Sequence, residues 1–241
     1  MIKNIVKIML SWIGYELHGT KWPVEFSEED VELADKVLQK RLTMVSRARL
    51  AATISACKYV CECGVDGDFV ECGVWRGGNS LAAASIFKRY SVRRAVWLFD
   101  TFEGMTEPME RDVPASGTRG RDGLHGGCCC SLENVRRSFS EFDLLSDSIF
   151  FVQGDVIKTL SNADGLPKRI SVLRLDTDWH ASTAKELEVL YDRIEMGGVL
   201  LIDDYGHWSG ARQAVDEFFA KRKKPFLNVI DYTGRMAVKV E

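Results

Sequence analysis

The stretch Phe69-Val70-Glu71-Cys72-Gly73-Val74-Trp75-Arg76-Gly77-Gly78-Asn79-Ser80 decides the fold. It begins as a short apolar run, the pattern of a strand buried on both faces, and breaks into a turn rich in glycine. Glycines at such a turn let the backbone approach a ligand closely and then begin a helix. The dinucleotide fingerprint G-x-G-x-x-G is incomplete here, which argues against a nucleotide-binding dehydrogenase. Glu71 stands where a phosphate would be repelled. An acidic strand end suits a cationic ligand with free hydroxyls, such as the aminoacyl sulfonium of S-adenosylmethionine. The plainer alternative is an ordinary glycine turn.

Beyond this turn the same pattern repeats. Apolar runs at 95–99, 149–152, 171–175, 199–202, 227–230 and 236–240 alternate with amphipathic helices. One helix starts near Ser182, with Leu187, Leu190, Tyr191 and Ile194 on one side and a Thr183/Glu186 capping box. Another carries Ala211, Ala214, Val215, Phe218 and Phe219. The alternation implies a doubly wound, mostly parallel α/β sheet. The last two runs lack a helix between them and read as an antiparallel hairpin turning at 231–234. Toward the N-terminus the periodicity is helical, with Ser27 capping the acidic turn Glu28-Glu29-Asp30 and a second helix over 47–61. The expected organisation is a helical extension over 1–66 and one ligand-binding α/β domain over 67–241. The stretch 103–130, rich in glycine and charge, is a loop long enough to be functional.

In an open α/β sheet, ligands bind at the carboxyl ends of the strands. The second strand ends at Asp100, placed to accept hydrogen bonds from ribose hydroxyls. The third runs into Gln153-Gly154-Asp155, where Asp155 either borders an adenine ring or caps the next helix. The fourth ends in Asp176-Thr177-Asp178 and the fifth in Asp203-Asp204. Neighbouring strands would crowd these carboxylates into one crevice, an arrangement that is unfavourable without a cation. Oxygen ligands with open positions suit a hard ion such as Mg²⁺; the alternative is that some of these acids, Asp178 among them, cap helices. A bound cation lowers the pKa of an acceptor hydroxyl, a nearby base removes its proton, and the oxygen attacks a sulfonium methyl in line. Opposite charges cancel in that step, so a dry site helps.

The 241 residues are 46% hydrophobic and 28% charged, ordinary globular proportions, and the net charge of -3 argues against a nucleic-acid partner. Cys57, Cys61, Cys63, Cys72, Cys128, Cys129 and Cys130 form no secreted disulfide pattern, so a reduced cytoplasmic protein is expected. Neither the Cys128-Cys129-Cys130 run with His125 nor Cys61 with Cys63 has the paired spacing of a zinc site. Ile2, Ile5, Val6, Met9, Trp12 and Ile13 share one helical face. The run is too short to span a bilayer and reads as a packed amphipathic helix rather than a membrane-surface anchor. His18 has no evident partner, and 221–224 reads as the solvated end of the last long helix.

The motif 69–78, together with Phe99-Asp100-Thr101-Phe102-Glu103-Gly104-Met105, Asp176-Thr177-Asp178-Trp179 with Ser182-Thr183, and Ile202-Asp203-Asp204-Tyr205-Gly206-His207-Trp208, resembles the macrocin O-methyltransferase family. The segment 43–50 is similar too. The resemblance implies a class I methyltransferase fold acting on hydroxyls of sugars or glycosylated natural products, with S-adenosylmethionine and Mg²⁺ and often as a homo-oligomer. It implies Asp176, Asp203 and Asp204 as metal ligands and Asp178 as general base. It implies Glu71, Gly73, Gly77, Ser80, Asp100, Thr101, Asp155 and Asp176 around the cofactor, with Thr43 or Met44 closing over it. His180 replaces the family's usual tyrosine and is a second base candidate. His207 follows the acidic pair and is a candidate to orient one of its carboxylates. Two other readings stand beside the sugar O-methyltransferase: a metal-dependent phenol or catechol O-methyltransferase, and a catalytically silent cofactor-binding relative.

Overall fold

The computed structural model describes residues 21–115, 128–162 and 165–241. Two helices come first, α1 (Glu28–Gln39) and α2 (Arg47–Glu62). Then follow β1 (Asp68–Cys72), α3 (Gly78–Arg89), β2 (Val96–Asp100), α4 (Leu132–Glu141), β3 (Ile149–Gln153) and α5 (Val156–Thr159). The chain continues through β4 (Ile170–Leu175), α6 (His180–Leu190), β5 (Ile194–Ile202), α7 (Ser209–Phe219), β6 (Asn228–Val229) and β7 (Arg235–Val238).

The strands form one sheet in the order β3-β2-β1-β4-β5-β7-β6. Pairing is parallel from β3 to β5 and antiparallel where β7 joins β5 and β6 joins β7. The expected doubly wound sheet with a closing hairpin is what the chain builds. Strand order reverses between β1 and β4, so the crevice at the carboxyl ends opens there. The register lines up the chemistry: Cys72 lies opposite Leu175, and Leu175 opposite Ile202. The next residues, Gly73, Asp176 and Asp203, therefore stand side by side, joined by Asp176 N–H to the Cys72 carbonyl and Asp203 N–H to the Leu175 carbonyl, each 2.9 Å.

Successive strand residues point to opposite faces, and each face has its own core. Phe69, with Ala34, Leu50, Ile54, Leu81 and Val135, packs beneath α1–α4. Val70, with Leu173, Leu187, Leu190, Val215 and Phe219, packs beneath α6 and α7. Burying one such side chain is worth about 2 kcal/mol. The helices α1 and α2 thus share a core with the sheet.

Three local expectations change. The helix expected near Ser182 starts at His180, and no Thr183/Glu186 capping box forms. Both residues are buried, and the cap comes from a distance: Asp112 Oδ1 accepts the His180 N–H at 2.8 Å. The run expected at 199–202 is the end of a longer strand that begins at Ile194. The basic run 221–224 lies beyond α7, which ends at Phe219, and Lys224 turns back to Asp216 at 2.7 Å. The Ser27 cap forms as expected, as a capping box with Asp30. The amphipathic run at 2–13, His18 and His125 lie outside the described residues. Among the described residues, no helix is long and apolar enough to cross a membrane.

Candidate active site

Each acid reaches the crevice because its strand stops there. After β1, Gly73 has φ +82, and a Cβ on it would collide with the Asp176 carbonyl. Only glycine lets the β1 turn lie against the β4 turn. The Val74 and Trp75 N–H groups both donate to Asp100 Oδ2, at 2.6 and 3.0 Å, while Phe102 N–H donates to Oδ1 at 2.8 Å. Asp100 therefore ties the first turn to the second. A carboxylate has lone pairs beyond these bonds, so a ligand hydroxyl can still share it.

The crevice, about 310 Å³, is lined by Gly73, Asp100, Thr101, Gly154 and Asp155 from the ends of β1, β2 and β3. Asp176, Asp178, Trp179, Asp203, Asp204 and Trp208 come from the ends of β4 and β5, and Met44, Arg49 and Tyr232 complete the lining. Asp155 caps α5, its side chain accepting from Ile157 N–H at 3.0 Å, and it also lines the crevice.

Five expected site residues stand back from the wall. Glu71 is buried below it, bonded to Arg174 Nε at 3.0 Å and by a short contact to the Ser80 hydroxyl. Ser80 is consumed by that bond. Gly77 caps α3 in the left-handed region, packed against Val135 and Phe139. Thr43 uses its hydroxyl on Val45 N–H (3.3 Å) and Asn79 (3.4 Å), which shapes the loop that presents Met44. The His180 ring turns to Glu217, 3.0 Å away, and toward Arg111. It begins α6 on the side facing α7, out of reach of the crevice. His207 does line the crevice, but its Nδ1 faces the Tyr232 hydroxyl at 3.2 Å instead of a carboxylate.

Carboxylate oxygens of Asp176, Asp203 and Asp204 all lie within 4.8 Å of one another. Arg174, fully buried, reaches Glu71, Asp176 (2.7 Å) and Asp203 (2.7 Å). Arg49 of α2 contacts Asp203 and reaches Asp231 at 3.1 Å. Two guanidinium groups thus face the six carboxyl groups of Glu71, Asp176, Asp178, Asp203, Asp204 and Asp231. The electrostatics follow. Burial, with Asp203 beside it, pushes Asp176 well above the usual carboxylate range. Burial, with Asp178 beside it, does the same to Asp204. Asp178 is pushed up to about 7, mainly by burial and then by Asp176, against hydrogen bonds with Asp204 and Trp208. Burial disfavours a charged Arg174, yet Asp203, Asp176 and Glu71 outweigh it and keep the guanidinium protonated. Unpaired negative charge and an all-oxygen donor set fit a hard divalent cation better than a soft one. Among the described residues no cysteine joins such a cluster. Cys128 lines the crevice, Cys130 is buried and Cys129 exposed.

Arg174 and Arg49 had no place in the sequence reading. Arg174 carried a signal all the same, as the one charge inside an apolar strand, since a buried charge must be paired. Arg49 carried none, because its partner Asp231 is 182 residues away.

A sheet of this order with a strand-end crevice defines the class I methyltransferase fold, and solved methyltransferases share it. The O-methyltransferase NovP superposes with a TM-score of 0.72 at 33% identity, over 83% of this chain and 82% of its own. The macrocin-O-methyltransferase (TylF) family model matches residues 8–238, and the chain belongs to that family of O-methyltransferases. Its relatives include the mycinamicin III 3''-O-methyltransferase of Micromonospora griseorubida, 34% identical over 90% of this chain and 86% of the relative. The demethyldecarbamoylnovobiocin O-methyltransferase of Streptomyces niveus is 34% identical over 74% of this chain and 68% of the relative.

Proposed function

We propose that this enzyme moves the methyl group of S-adenosylmethionine to a hydroxyl of a sugar, free or carried on a natural product, with a hard divalent cation such as Mg²⁺ at Asp176, Asp203 and Asp204. The observation that carries this reading is the convergence of those three carboxylates, with a fourth, Asp178, lining the same crevice. The relatives are named for methylation of glycosylated natural products, which supports a glycosyl acceptor. When bound, the sulfonium supplies an activated methyl and the cation lowers the pKa of the acceptor hydroxyl.

This chain's residues do the rest. Asp178, in the crevice beside the cluster, takes the acceptor's proton. Gly73, Asp100, Thr101 and Asp155 hold the donor's nucleoside end, and Met44 covers it. Trp179 and Trp208, in edge contact at 5.0 Å, wall off the acceptor end from water. Arg174 and Arg49 hold Asp203 in place while leaving the cluster short of positive charge. The soluble enzyme would work in the cytoplasm, as an assembly of identical subunits.

Calorimetric titration of S-adenosylmethionine, with Mg²⁺ and again with chelator, tests the reading. Expected are donor binding and a separate Mg²⁺ binding event that Asp203→Ala abolishes while donor affinity holds. Donor binding without any metal site would overturn the metal-dependent mechanism. Binding of neither would overturn the whole proposal.

A further inference from the structure

The segment between the candidate ligand Asp176 and the candidate base Asp178 is strained. Asp178 has φ +65, a conformation that residues with a side chain rarely adopt. Trp179 N–H donates to the Thr177 carbonyl at 2.7 Å, two residues back. An i+2→i bond across a positive-φ residue marks the rarer, strained γ-turn. Strain of this kind persists only where the surroundings over-determine it. Thr177 is where they do so.

Thr177 Oγ1 lies 2.8 Å from Glu186 Oε1 and 2.8 Å from Ser182 Oγ. Ser182 Oγ in turn lies 3.0 Å from the Trp179 carbonyl oxygen. A hydroxyl has one hydrogen, so Thr177 donates to one neighbour and accepts from the other. Glu186 is completely buried on α6, and its Oε2 has no hydrogen-bond partner among the described residues. A bare carboxylate oxygen there would carry charge without compensation, whereas a neutral acid leaves only a carbonyl. The proton then completes the chain. Glu186 donates to Thr177, Thr177 to Ser182, and Ser182 to the Trp179 carbonyl, each hydrogen used once. An ionised Glu186 can only accept, which turns the Thr177 hydrogen toward it and leaves Ser182 one hydrogen for two acceptors, Thr177 Oγ1 and the Trp179 carbonyl, whose other donor is Thr183 N–H at 3.0 Å. Burial pushes Glu186 up to about 8, against the Thr177 bond, in keeping with the neutral form.

We propose that Glu186, as a neutral acid, is a positioning residue that clamps Thr177 and so holds the strained turn aiming Asp178 at the acceptor hydroxyl. This rests on Asp178 being the base. Glu186 touches neither substrate nor the reacting atoms.

The test uses the full-length enzyme with S-adenosylmethionine, Mg²⁺ and an acceptor found by screening glycosides. Glu186→Leu removes a buried polar group, so its melting temperature should match or exceed that of the wild type. Its kcat should still fall at least tenfold, with acceptor KM and S-adenosylmethionine Kd within threefold of the wild type. Glu186→Gln keeps a donor for Thr177 and should restore kcat to within threefold. Should Glu186→Leu fail to fold, Thr177→Val breaks the same chain from the turn side and should show the same split. A folded Glu186→Leu or Thr177→Val with wild-type kcat would overturn the clamp, as would a Glu186→Gln no faster than Glu186→Leu. Asp178→Asn separates this from the parent reading. If it is inactive while Glu186→Leu is fully active, the base stands and the clamp falls. If Asp178→Asn is itself fully active, the assignment of the base falls first.

Discussion

Arg174 and Asp203 meet inside the protein, Nη2 to Oδ1 at 2.7 Å, with both side chains at most 2% exposed. The guanidinium links three strand ends at once, β1 through Glu71, β4 through Asp176 and β5 through Asp203. Breaking a buried ion pair by removing one partner costs about 3–5 kcal/mol, because the other charge stays behind. Arg174→Met should lose about that much stability in a urea titration. Arg174→Lys should lose a substantial part of it, since an ammonium lacks the planar fork that spans three carboxylates. A variant within 1 kcal/mol of the wild type would show that the acids need no internal counter-ion.

Asp178→Asn should lower kcat about 100-fold or more, the usual worth of a positioned base. Calorimetric Mg²⁺ affinity should change little, since the three converging carboxylates remain. An equal loss of turnover and of metal affinity would make Asp178 a ligand instead.

Glu186 sets a pH dependence of stability. Its folded pKa is raised from 4.5 to about 8 by burial. Between those values the folded state holds a proton that the unfolded chain has released. Stability therefore falls as pH rises, the acid's contribution being complete below about pH 4.5 and lost toward pH 8. Glu186→Gln removes the titration. Its stability relative to the wild type should rise by roughly 2 kcal/mol between pH 5.5 and 7.5, read from denaturant midpoints, given about 1.4 kcal/mol per unit. A difference flat across that range would show that Glu186 is ionised in the folded protein.

Tyr232 stands at the mouth of the crevice, 71% exposed, its hydroxyl 3.2 Å from His207 Nδ1. An exposed aromatic ring there suits the apolar face of a sugar. Tyr232→Ala should raise acceptor KM by about tenfold, equivalent to 1.4 kcal/mol of binding, with kcat and S-adenosylmethionine Kd nearly unchanged. A shift in donor Kd of the same size would place Tyr232 on the other ligand.

Asp112 caps α6 from a distant loop, bonding His180 N–H and Met109 N–H, each at 2.8 Å. Asp112→Ala should lower stability by about 1–2 kcal/mol, seen as a lower melting temperature. An unchanged melting temperature would mean that water replaces the cap.

The alternation of buried runs with amphipathic helices was enough to read the sheet, because both carry local periodicity. The acids of the crevice were legible for a similar reason: each follows directly on the last apolar residue of its strand, as Asp203 follows Ile202. Side-chain direction within the turns was not legible. Glu71 lies two residues before the glycine at which the crevice begins, and its carboxyl goes down to Arg174 instead of up to a ligand. The start of α6 was misplaced for another reason. Thr183 and Glu186 have the spacing of a local cap, but the cap is Asp112, 68 residues away, and no periodicity encodes a contact of that span.

The contact of Arg49 and Ser46 with Asp231 has a consequence for how the molecule comes into being. Ser46 Oγ and Arg49 Nε both bond Asp231 Oδ2, at 2.6 and 3.1 Å, joining residues 185 and 182 positions apart. The ribosome makes α2 early and the hairpin of β6 and β7 late, and chains tend to fold from the N-terminal side as they emerge. Until the hairpin has been made, Arg49 is without its second carboxylate. The tie between α2 and the hairpin can therefore form only after the acids at the ends of β4 and β5 are already in the chain.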